Sequence, residues 1–201
     1  MTSLRKALGL GTGLLVLIAA GVAVGQEKKA ADKGEAKVTT AEVGKTAPSF
    51  ELKGSDGKTY KLSDYKDKVV VLDWFNKDCP VCKGAEPLLS ATAEKYGKQG
   101  IVFLAVDSTK GRTAEDNVKY AADKKITRPI LLDSDGKVGH AYGAKTTPHI
   151  FIIDKTGNLV YMGGHDNQGD RNYIAESLDA ILAGKPVPTA TTKNYGCSVK
   201  Y

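Results

Sequence analysis

The chain has 201 residues and a formal net charge of +6, which is about the size of one ordinary domain with short flanking segments. Its 29 basic residues are spread along the sequence and form no block with interleaved aromatic residues, so composition argues against nucleic acid as a partner. Three cysteines are too few for a disulfide-stapled scaffold, and the fold must rest on its hydrophobic core.

The N-terminal segment, residues 1–25, predicts an export signal. Arg5 and Lys6 precede an uncharged, mostly apolar stretch over residues 7–24, and the small residues at its end offer a cleavage site. We therefore expect a periplasmic or secreted protein. The stretch is about long enough to cross a bilayer if it is retained. The alternative is then a membrane-anchored protein that faces outside the cytoplasm, and a membrane is a partner only in that case.

The rest of the chain divides into a charged linker (26–44), one domain (45–185) and a C-terminal tail (186–201). In the domain, apolar strand patterns alternate with helical patterns, which predicts an α/β sandwich with a central mixed sheet flanked by helices. The predicted elements are a hairpin of 49–52 and 59–62, a strand at 69–75, a helix at 80–96, a strand at 101–106, a helix at 113–124, a strand at 129–132, a helix at 138–142, a hairpin of 150–154 and 159–162, and a helix at 173–182.

The most informative motif is Cys79-Pro80-Val81-Cys82, which follows a buried strand and opens a helix. Two thiols separated by two residues in a first helical turn can close and reopen a small disulfide, and the helix N-terminus lowers a thiol pKa. A zinc site would need further ligands at close spacing, and Cys197 and the three histidines are scattered. The motif therefore predicts redox use of the pair, with no metal and no other cofactor.

Four features around this motif point to one family. Asp73 stands six residues before Cys79, Pro87 stands eight residues after it, the segment 142–148 ends in a proline, and the segment 43–50 leads into the first hairpin. In these features the chain resembles the thioredoxin superfamily, in its redoxin branch of exported thiol-disulfide oxidoreductases and peroxiredoxin relatives. The resemblance covers most of the domain and implies a thioredoxin-like sandwich with an N-terminal hairpin extension.

The resemblance also implies roles for five residues. Cys79, nearer solvent, would be the thiolate that forms a mixed disulfide with a protein substrate, and Cys82 would resolve it. Asp73, a buried acid with a raised pKa and no ion-pair partner, would accept the proton of Cys82. Thr147 and Pro148, joined by a cis peptide bond, would offer backbone groups to the substrate. The expected partners are protein thiols or disulfides and an upstream electron donor or acceptor that the sequence does not identify.

Two positions depart from the thioredoxin pattern. Asp78 stands where thioredoxins have tryptophan, and an acid beside Cys79 should raise the pKa of that thiol. His149 follows the predicted cis-proline, where a small polar residue is more usual. It either tunes Cys79 or meets substrate, or it is a surface histidine at the start of a strand.

Two other functions remain open on the sequence. Peroxiredoxins place Pro and then Thr or Ser seven and three residues before the reactive cysteine, whereas Leu72 and Asn76 hold those positions before Cys79. A thiol peroxidase, with antioxidant activity, is therefore one alternative, although the chain lacks the usual peroxiredoxin motif. A copper-binding chaperone is the other, because two thiolates and the imidazole of His149 suit Cu(I).

The third cysteine, Cys197, lies in the tail between Tyr195 and Tyr201. An exposed free thiol in an exported protein would be oxidised or cross-linked. One interpretation is that the tail docks and Cys197 acts as a small hydrophobic residue. The other is that the tail reaches the motif, and that Cys197 is a third redox cysteine that exchanges with Cys79.

Overall fold

The structure, a computed structural model, describes residues 40–201. The predicted export signal and all but the last five residues of the predicted linker lie outside the described residues. Among residues 40–201, no helix combines the length and the apolar character that crossing a bilayer requires.

The described residues form a mixed α/β structure. The strands are β1 (Glu51–Gly54), β2 (Thr59–Lys61), β3 (Val70–Trp74), β4 (Val102–Asp107), β5 (Ile130–Leu132), β6 (Thr146–Thr147), β7 (His149–Ile153), β8 (Leu159–Gly163) and β9 (Cys197–Ser198). The helices are α1 (Pro80–Gly97), α2 (Ala114–Lys124), α3 (Lys137–Tyr142) and α4 (Tyr173–Leu182), with a short 3-10 helix at Leu62–Tyr65.

Seven strands form one sheet in the order β2-β1-β5-β4-β3-β7-β8, and β6 and β9 form a separate pair. The centre is parallel, since β4 pairs in parallel with β3 and with β5, while β7 pairs antiparallel with β3. Strands β3 and β7 are buried at every residue, as expected of strands covered on both faces. The predicted α/β sandwich with a central mixed sheet is confirmed, and the hairpin of β1 and β2 stands at its edge.

Helices cover both faces of the sheet. On one face Val71, Phe103 and Ile152 pack with Leu89 of α1 and Leu178 of α4. On the other face Leu72, Trp74 and Phe151 pack with Tyr142 of α3. Burial of these alternating side chains is the main stabilising contribution to the fold.

The packed region begins earlier than the predicted start at Lys45. Ala41 is buried in the core cluster, and its N–H donates to the carbonyl of Ala141 at 2.9 Å. Gly44 donates to the carbonyl of Leu159 at 2.7 Å. The last residues of the predicted linker therefore pack on the sheet, although their polar neighbours give no sign of this in the sequence.

A buried carboxylate joins β3 to the start of α3. Trp74 Nε1 donates to Ser108 Oγ at 3.0 Å, and Ser108 Oγ donates to Asp133 Oδ2 at 2.6 Å. The backbone N–H groups of Val138 and Gly139 donate to the same carboxylate at 3.1 and 2.8 Å. Asp133 thus accepts hydrogen bonds from two N–H groups at the start of α3, which have no partner within the helix, and from one buried hydroxyl.

We expect Asp133→Ala to lower the free energy of unfolding by about 3 kcal/mol, because it leaves the buried Ser108 hydroxyl and two backbone N–H groups without their acceptor. Urea unfolding followed by the fluorescence of the single tryptophan measures this. Asp135→Ala is the control, since Asp135 lies in the same turn with a side chain that is 56% exposed, and should cost less than about 1 kcal/mol. Equal losses in the two variants would contradict the bridging role of Asp133.

Candidate active site

The two motif cysteines lie at the start of α1. Cys79 is the N-cap residue with extended backbone angles, and Pro80 occupies the first helical position, where its missing N–H costs nothing. The N–H of Cys79 donates to the carbonyl of Asn76 at 3.1 Å, which fixes the loop between β3 and the helix. Both thiols are buried, each residue being 2% exposed. The expected greater exposure of Cys79 is therefore not seen in the exposed fractions of the two residues.

The predicted substrate-pairing residues lie directly beside Cys79. The peptide bond between Thr147 and Pro148 is cis. The Cys79 thiol donates to the carbonyl oxygen of Thr147, with 3.1 Å between Sγ and that oxygen. The fold thus brings together Cys79, Cys82, Thr147 and Pro148, although 68 residues separate Cys79 from Thr147.

Cys79 is buried because the C-terminal tail covers it. Strand β9 pairs antiparallel with β6, so that Cys197 faces Thr147 and Ser198 faces Thr146. Cys197 is half-buried and packs against the cluster that contains Cys79 and Cys82. The tail therefore docks, and it docks at the motif, while the redox role of Cys197 stays a prediction.

The two motif thiols differ strongly in acidity. Burial opposes ionisation of Cys79, but hydrogen bonds from the Cys197 side chain and from the backbone of Cys82 and Cys197 lower the pKa of Cys79 to about 7. Burial, together with the charge of Asp73, raises the pKa of Cys82 well above its ordinary value. Near neutral pH, Cys79 is available as a thiolate while Cys82 holds its proton.

Asp73 belongs to a buried ion cluster that the sequence did not suggest. Arg128 Nη2 donates to Asp73 Oδ2 at 3.0 Å and to Glu86 Oε2 at 2.8 Å, and Arg128 Nη1 donates to Glu86 Oε1 at 2.6 Å. The prediction that Asp73 has no ion-pair partner is therefore wrong. Burial nevertheless outweighs the guanidinium and raises the pKa of Asp73 to about 6, as expected of a buried acid.

The charge of Asp78 does not act as the sequence predicted. Arg112 Nη2 lies 2.6 Å from Asp78 Oδ2 and Lys77 Nζ lies 3.0 Å from Oδ1. Hydrogen bonds from Arg112 and Lys77 lower the pKa of Asp78, so that the acid is ionised and compensated. The expected rise in the pKa of Cys79 is absent, because two cations offset the carboxylate.

His149 is not a surface histidine. It is 3% exposed in β7, and its Nδ1 accepts from the N–H of Lys145 at 3.3 Å. Burial, aided by the charge of Lys145, lowers the pKa of His149 to about 4. Within residues 40–201, no three His, Cys, Asp or Glu side chains are grouped so that they could hold one metal ion, so His149 does not complete a copper site with the two motif thiols.

Three residues near the thiols escaped sequence analysis, namely Glu86, Arg112 and Arg128. Glu86 lies in α1 at a position that a helical pattern predicts as partly buried, which was the one available signal. Arg112 and Arg128 lie in segments whose local pattern indicates loops. Their partners are 34 and 55 residues away, and no local pattern in one sequence reports such pairs.

Comparison with known proteins gives a consistent assignment. Residues 43–162 match the AhpC/TSA family. The thiol-disulfide oxidoreductase ResA of Geobacillus thermodenitrificans is 35% identical over 121 residues, which are 60% of this chain and 68% of that protein. ResA of Bacillus thuringiensis is 31% identical over 119 residues, with 59% and 68% covered.

Solved structures resemble the fold as well. An uncharacterized conserved protein from Geobacillus kaustophilus has a TM-score of 0.75 at 32% identity, covering 80% of this chain and 92% of that one. The thioredoxin domain of a thiol-disulfide oxidoreductase from Bacteroides vulgatus has a TM-score of 0.54 at 25% identity, covering 61% and 89%. The family match ends at residue 162, so the tail that carries Cys197 lies beyond it.

We expect Arg128→Met to lower the free energy of unfolding by about 3–5 kcal/mol near neutral pH, because it leaves two buried carboxylates without their counter-charge. Arg171→Met is the control, since Arg171 pairs with Glu176 at the surface, and it should cost less than about 1 kcal/mol. Urea unfolding of both variants measures the two changes in the free energy of unfolding. An Arg128→Met protein no less stable than Arg171→Met would show that the cluster has no stabilising role.

Proposed function

The chain belongs to the AhpC/TSA family and is a thiol-disulfide oxidoreductase, and we propose that it exchanges disulfides with protein substrates outside the cytoplasm through Cys79 and Cys82. One observation carries the proposal: the thiol with a pKa of about 7 lies at a helix N-terminus, 3.1 Å from the carbonyl that precedes a cis-proline. A reactive thiolate is thus placed beside backbone groups that an extended peptide can pair with.

The proposed exchange has two steps. The Cys79 thiolate attacks one sulfur of a substrate disulfide, forms a mixed disulfide and releases the other substrate sulfur as a thiolate. Cys82 then loses its proton and attacks the sulfur of Cys79, which releases the second substrate thiolate. The substrate gains two electrons and the protein is left with a Cys79–Cys82 disulfide. The same steps in reverse oxidise a substrate dithiol.

Asp73 is the proposed proton acceptor for Cys82. Burial and then the charge of Asp73 raise the pKa of that thiol, which supports an interaction between the two groups. Among the residues that the structure describes, its oxygen Oδ1 has no hydrogen-bond partner, since Arg128 contacts Oδ2. A free carboxylate oxygen with a pKa of about 6 can accept a proton at neutral pH and release it afterwards.

The proposed location rests on the sequence. The basic start and the apolar stretch before residue 25 favour export, and a dithiol that cycles through a disulfide suits an oxidising compartment. We propose that residues 1–25 act as the export signal, with retention as a membrane anchor as the alternative. The substrates are then exported proteins with cysteines, and the donor or acceptor that resets the dithiol acts in the same compartment.

We expect Cys79→Ser to abolish insulin reduction and the Cys82→Ser, Cys197→Ser double variant to accumulate a mixed disulfide with insulin, because Cys79 presents the thiolate at neutral pH and the double variant keeps no thiol that could resolve the mixed disulfide. Insulin turbidity in dithiothreitol gives the first result, and non-reducing mass spectrometry gives the second. Hydrogen peroxide consumption is measured in parallel. Trapping by Cys79→Ser instead of the double variant would reverse the roles, and rapid peroxide consumption without insulin reduction would refute the proposal.

We expect resolution of the mixed disulfide to accelerate as pH rises through about 6, because Asp73 accepts a proton only above its pKa. Asp73→Asn should lose this acceleration and be several-fold slower at pH 7, while Arg128 keeps Glu86 as a partner and the fold is retained. Stopped-flow release of thiol from a preformed mixed disulfide measures the rates.

Glu86→Gln is the matched control for this experiment. The charge of Glu86 contributes to the raised pKa of Asp73, so its removal should move the acceleration to lower pH without abolishing it. The same pH profile in wild type and Asp73→Asn would exclude Asp73 as the proton acceptor.

A further inference from the structure

We propose that the C-terminal tail is an internal substrate, in which β9 occupies the peptide-pairing position beside Pro148 and Cys197 exchanges disulfides with Cys79. The inference rests on the proposed function, since it uses the same thiol and the same backbone groups. It goes further in assigning to this chain a third redox thiol and a built-in competitor for protein substrates.

The backbone of the tail takes the position that a substrate strand would need. Thr147 pairs with Cys197 and Thr146 pairs with Ser198, directly before the cis-proline. The N–H of Val199 extends this pairing by donating to the carbonyl of Lys145 at 3.2 Å. The edge of β6 is therefore already occupied, and an incoming peptide must displace the tail to use it.

The approach of the two chains is close enough to require glycine. A Cβ placed on Gly196 would lie 2.3 Å from the carbonyl oxygen of Thr147 and 3.3 Å from Pro148 Cδ. Gly196 also has a φ of 135°, a conformation that other residues rarely adopt. The residue next to Cys197 thus permits the contact between the tail and the cis-proline segment.

Contacts on both sides of Cys197 hold the tail in this register. Before it, Asn194 Nδ2 donates to Thr146 Oγ1 at 2.8 Å. After it, the N–H of Lys110 donates to the carbonyl of Lys200 at 2.7 Å, and the hydroxyl of Tyr201 donates to the carbonyl of Ala144 at 2.8 Å. Side chains and backbone therefore both specify where the tail docks.

Cys197 lies at the apolar cluster that contains Cys79. Cys79 donates to the carbonyl of Thr147, the residue that Cys197 faces across the strand pair. Two buried residues of that cluster, Phe75 and Cys82, come from just after β3 and from the first turn of α1. The Cys79 side chain is the main cause that raises the pKa of Cys197, and the Cys197 side chain, against the opposing effect of burial, is among the causes that lower the pKa of Cys79, as expected of two neighbouring thiols.

The exchange balances without an external oxidant. In the oxidised protein, the thiolate of Cys197 attacks the sulfur of Cys79, the Cys79–Cys197 bond forms, and the Cys79–Cys82 bond breaks. Cys82 leaves as a thiolate and takes up a proton, which replaces the one that Cys197 lost. One disulfide is present before and after the step, and the reverse step restores the starting pair.

Two consequences follow for protein substrates. Because the tail is part of the same chain, it competes at an effective concentration on the order of millimolar. A substrate must therefore supply contacts of its own, beyond a free cysteine, to displace it. Because Cys79 is only 2% exposed under the tail, small oxidants reach it slowly in the docked state.

The test is peptide mapping of oxidised Cys82→Ser protein. Trypsin places residue 79 in the peptide 78–83 and residue 197 in the peptide 194–200. In wild type both motif cysteines lie in the peptide 78–83, so a link from this peptide to Cys197 could involve either one. The Cys82→Ser variant leaves only Cys79 in that peptide. After equilibration of dilute protein with oxidised and reduced glutathione, acid quench and alkylation, we expect most of the protein to carry a Cys79–Cys197 link within one chain. Cys79→Ser is the control and should show little linkage between Cys82 and Cys197.

A second variant tests whether the Cys79–Cys197 link depends on docking of the tail or only on the presence of a third thiol. Gly196→Ala in the Cys82→Ser protein should lower the yield of the link several-fold and raise the rate of Cys79 alkylation by iodoacetamide several-fold, because its methyl group meets the Thr147 carbonyl. Gly157→Ala is the matched control, with a φ of 84° and open space around its Cβ, and should change neither quantity.

The outcomes distinguish this inference from the proposed function. Cys82→Ser protein that traps insulin but carries only free or intermolecular Cys197 would overturn the internal substrate and leave the oxidoreductase assignment intact. Efficient Cys79–Cys197 linkage in Cys82→Ser protein, together with failure of the Cys82→Ser, Cys197→Ser double variant to trap insulin, would support the tail exchange and refute the proposed protein substrates. Linkage unaffected by Gly196→Ala would show that docking of β9 does not direct the exchange and would overturn the inference.

Discussion

Trp74, the last residue of β3, pairs with His149, the first residue of β7, in an antiparallel register. The chain that leaves β3 toward α1 and the chain that enters β7 from the cis-proline therefore meet at one end of the sheet. Cys79 and Thr147 are neighbours because of this register, and a shift by one residue would turn every buried side chain of β7 to the other face. Both strands are buried throughout, which is the constraint that prevents such a shift.

Burial at this point has opposite effects on the two thiols. It disfavours the charged form of each, but Cys79 has compensating hydrogen bonds at the helix start, whereas Cys82 faces the charge of Asp73. Different pKa values of the two thiols make an ordered sequence of attack and resolution possible, because Cys79 is ionised near neutral pH while Cys82 must first give its proton to an acceptor. The ion pairs of Arg128 with Asp73 and Glu86 hold Asp73, the proposed acceptor, in place inside the core.

Local features were predictable because their causes are local. The motif after a strand and the proline at the first helical position predicted two thiols at a helix start, where the structure places them. The family resemblance of the segment that ends at Pro148 predicted the cis peptide bond. Long-range electrostatics were not predictable, since Arg128 meets Asp73 across 55 residues and Arg112 meets Asp78 across 34. Sequence analysis left open where the tail docks for a related reason, because a two-residue strand leaves no periodicity in the sequence.

The buried ion cluster also limits the order in which this protein can change over generations. Loss of Glu86 leaves a matched pair of Arg128 and Asp73, and loss of Asp73 leaves a matched pair of Arg128 and Glu86. Loss of Arg128 first leaves two buried like charges. Mutational paths that remove the cluster therefore replace one of the two carboxylates before they replace Arg128. The effect of a substitution at position 128 then depends on which residues already stand at positions 73 and 86.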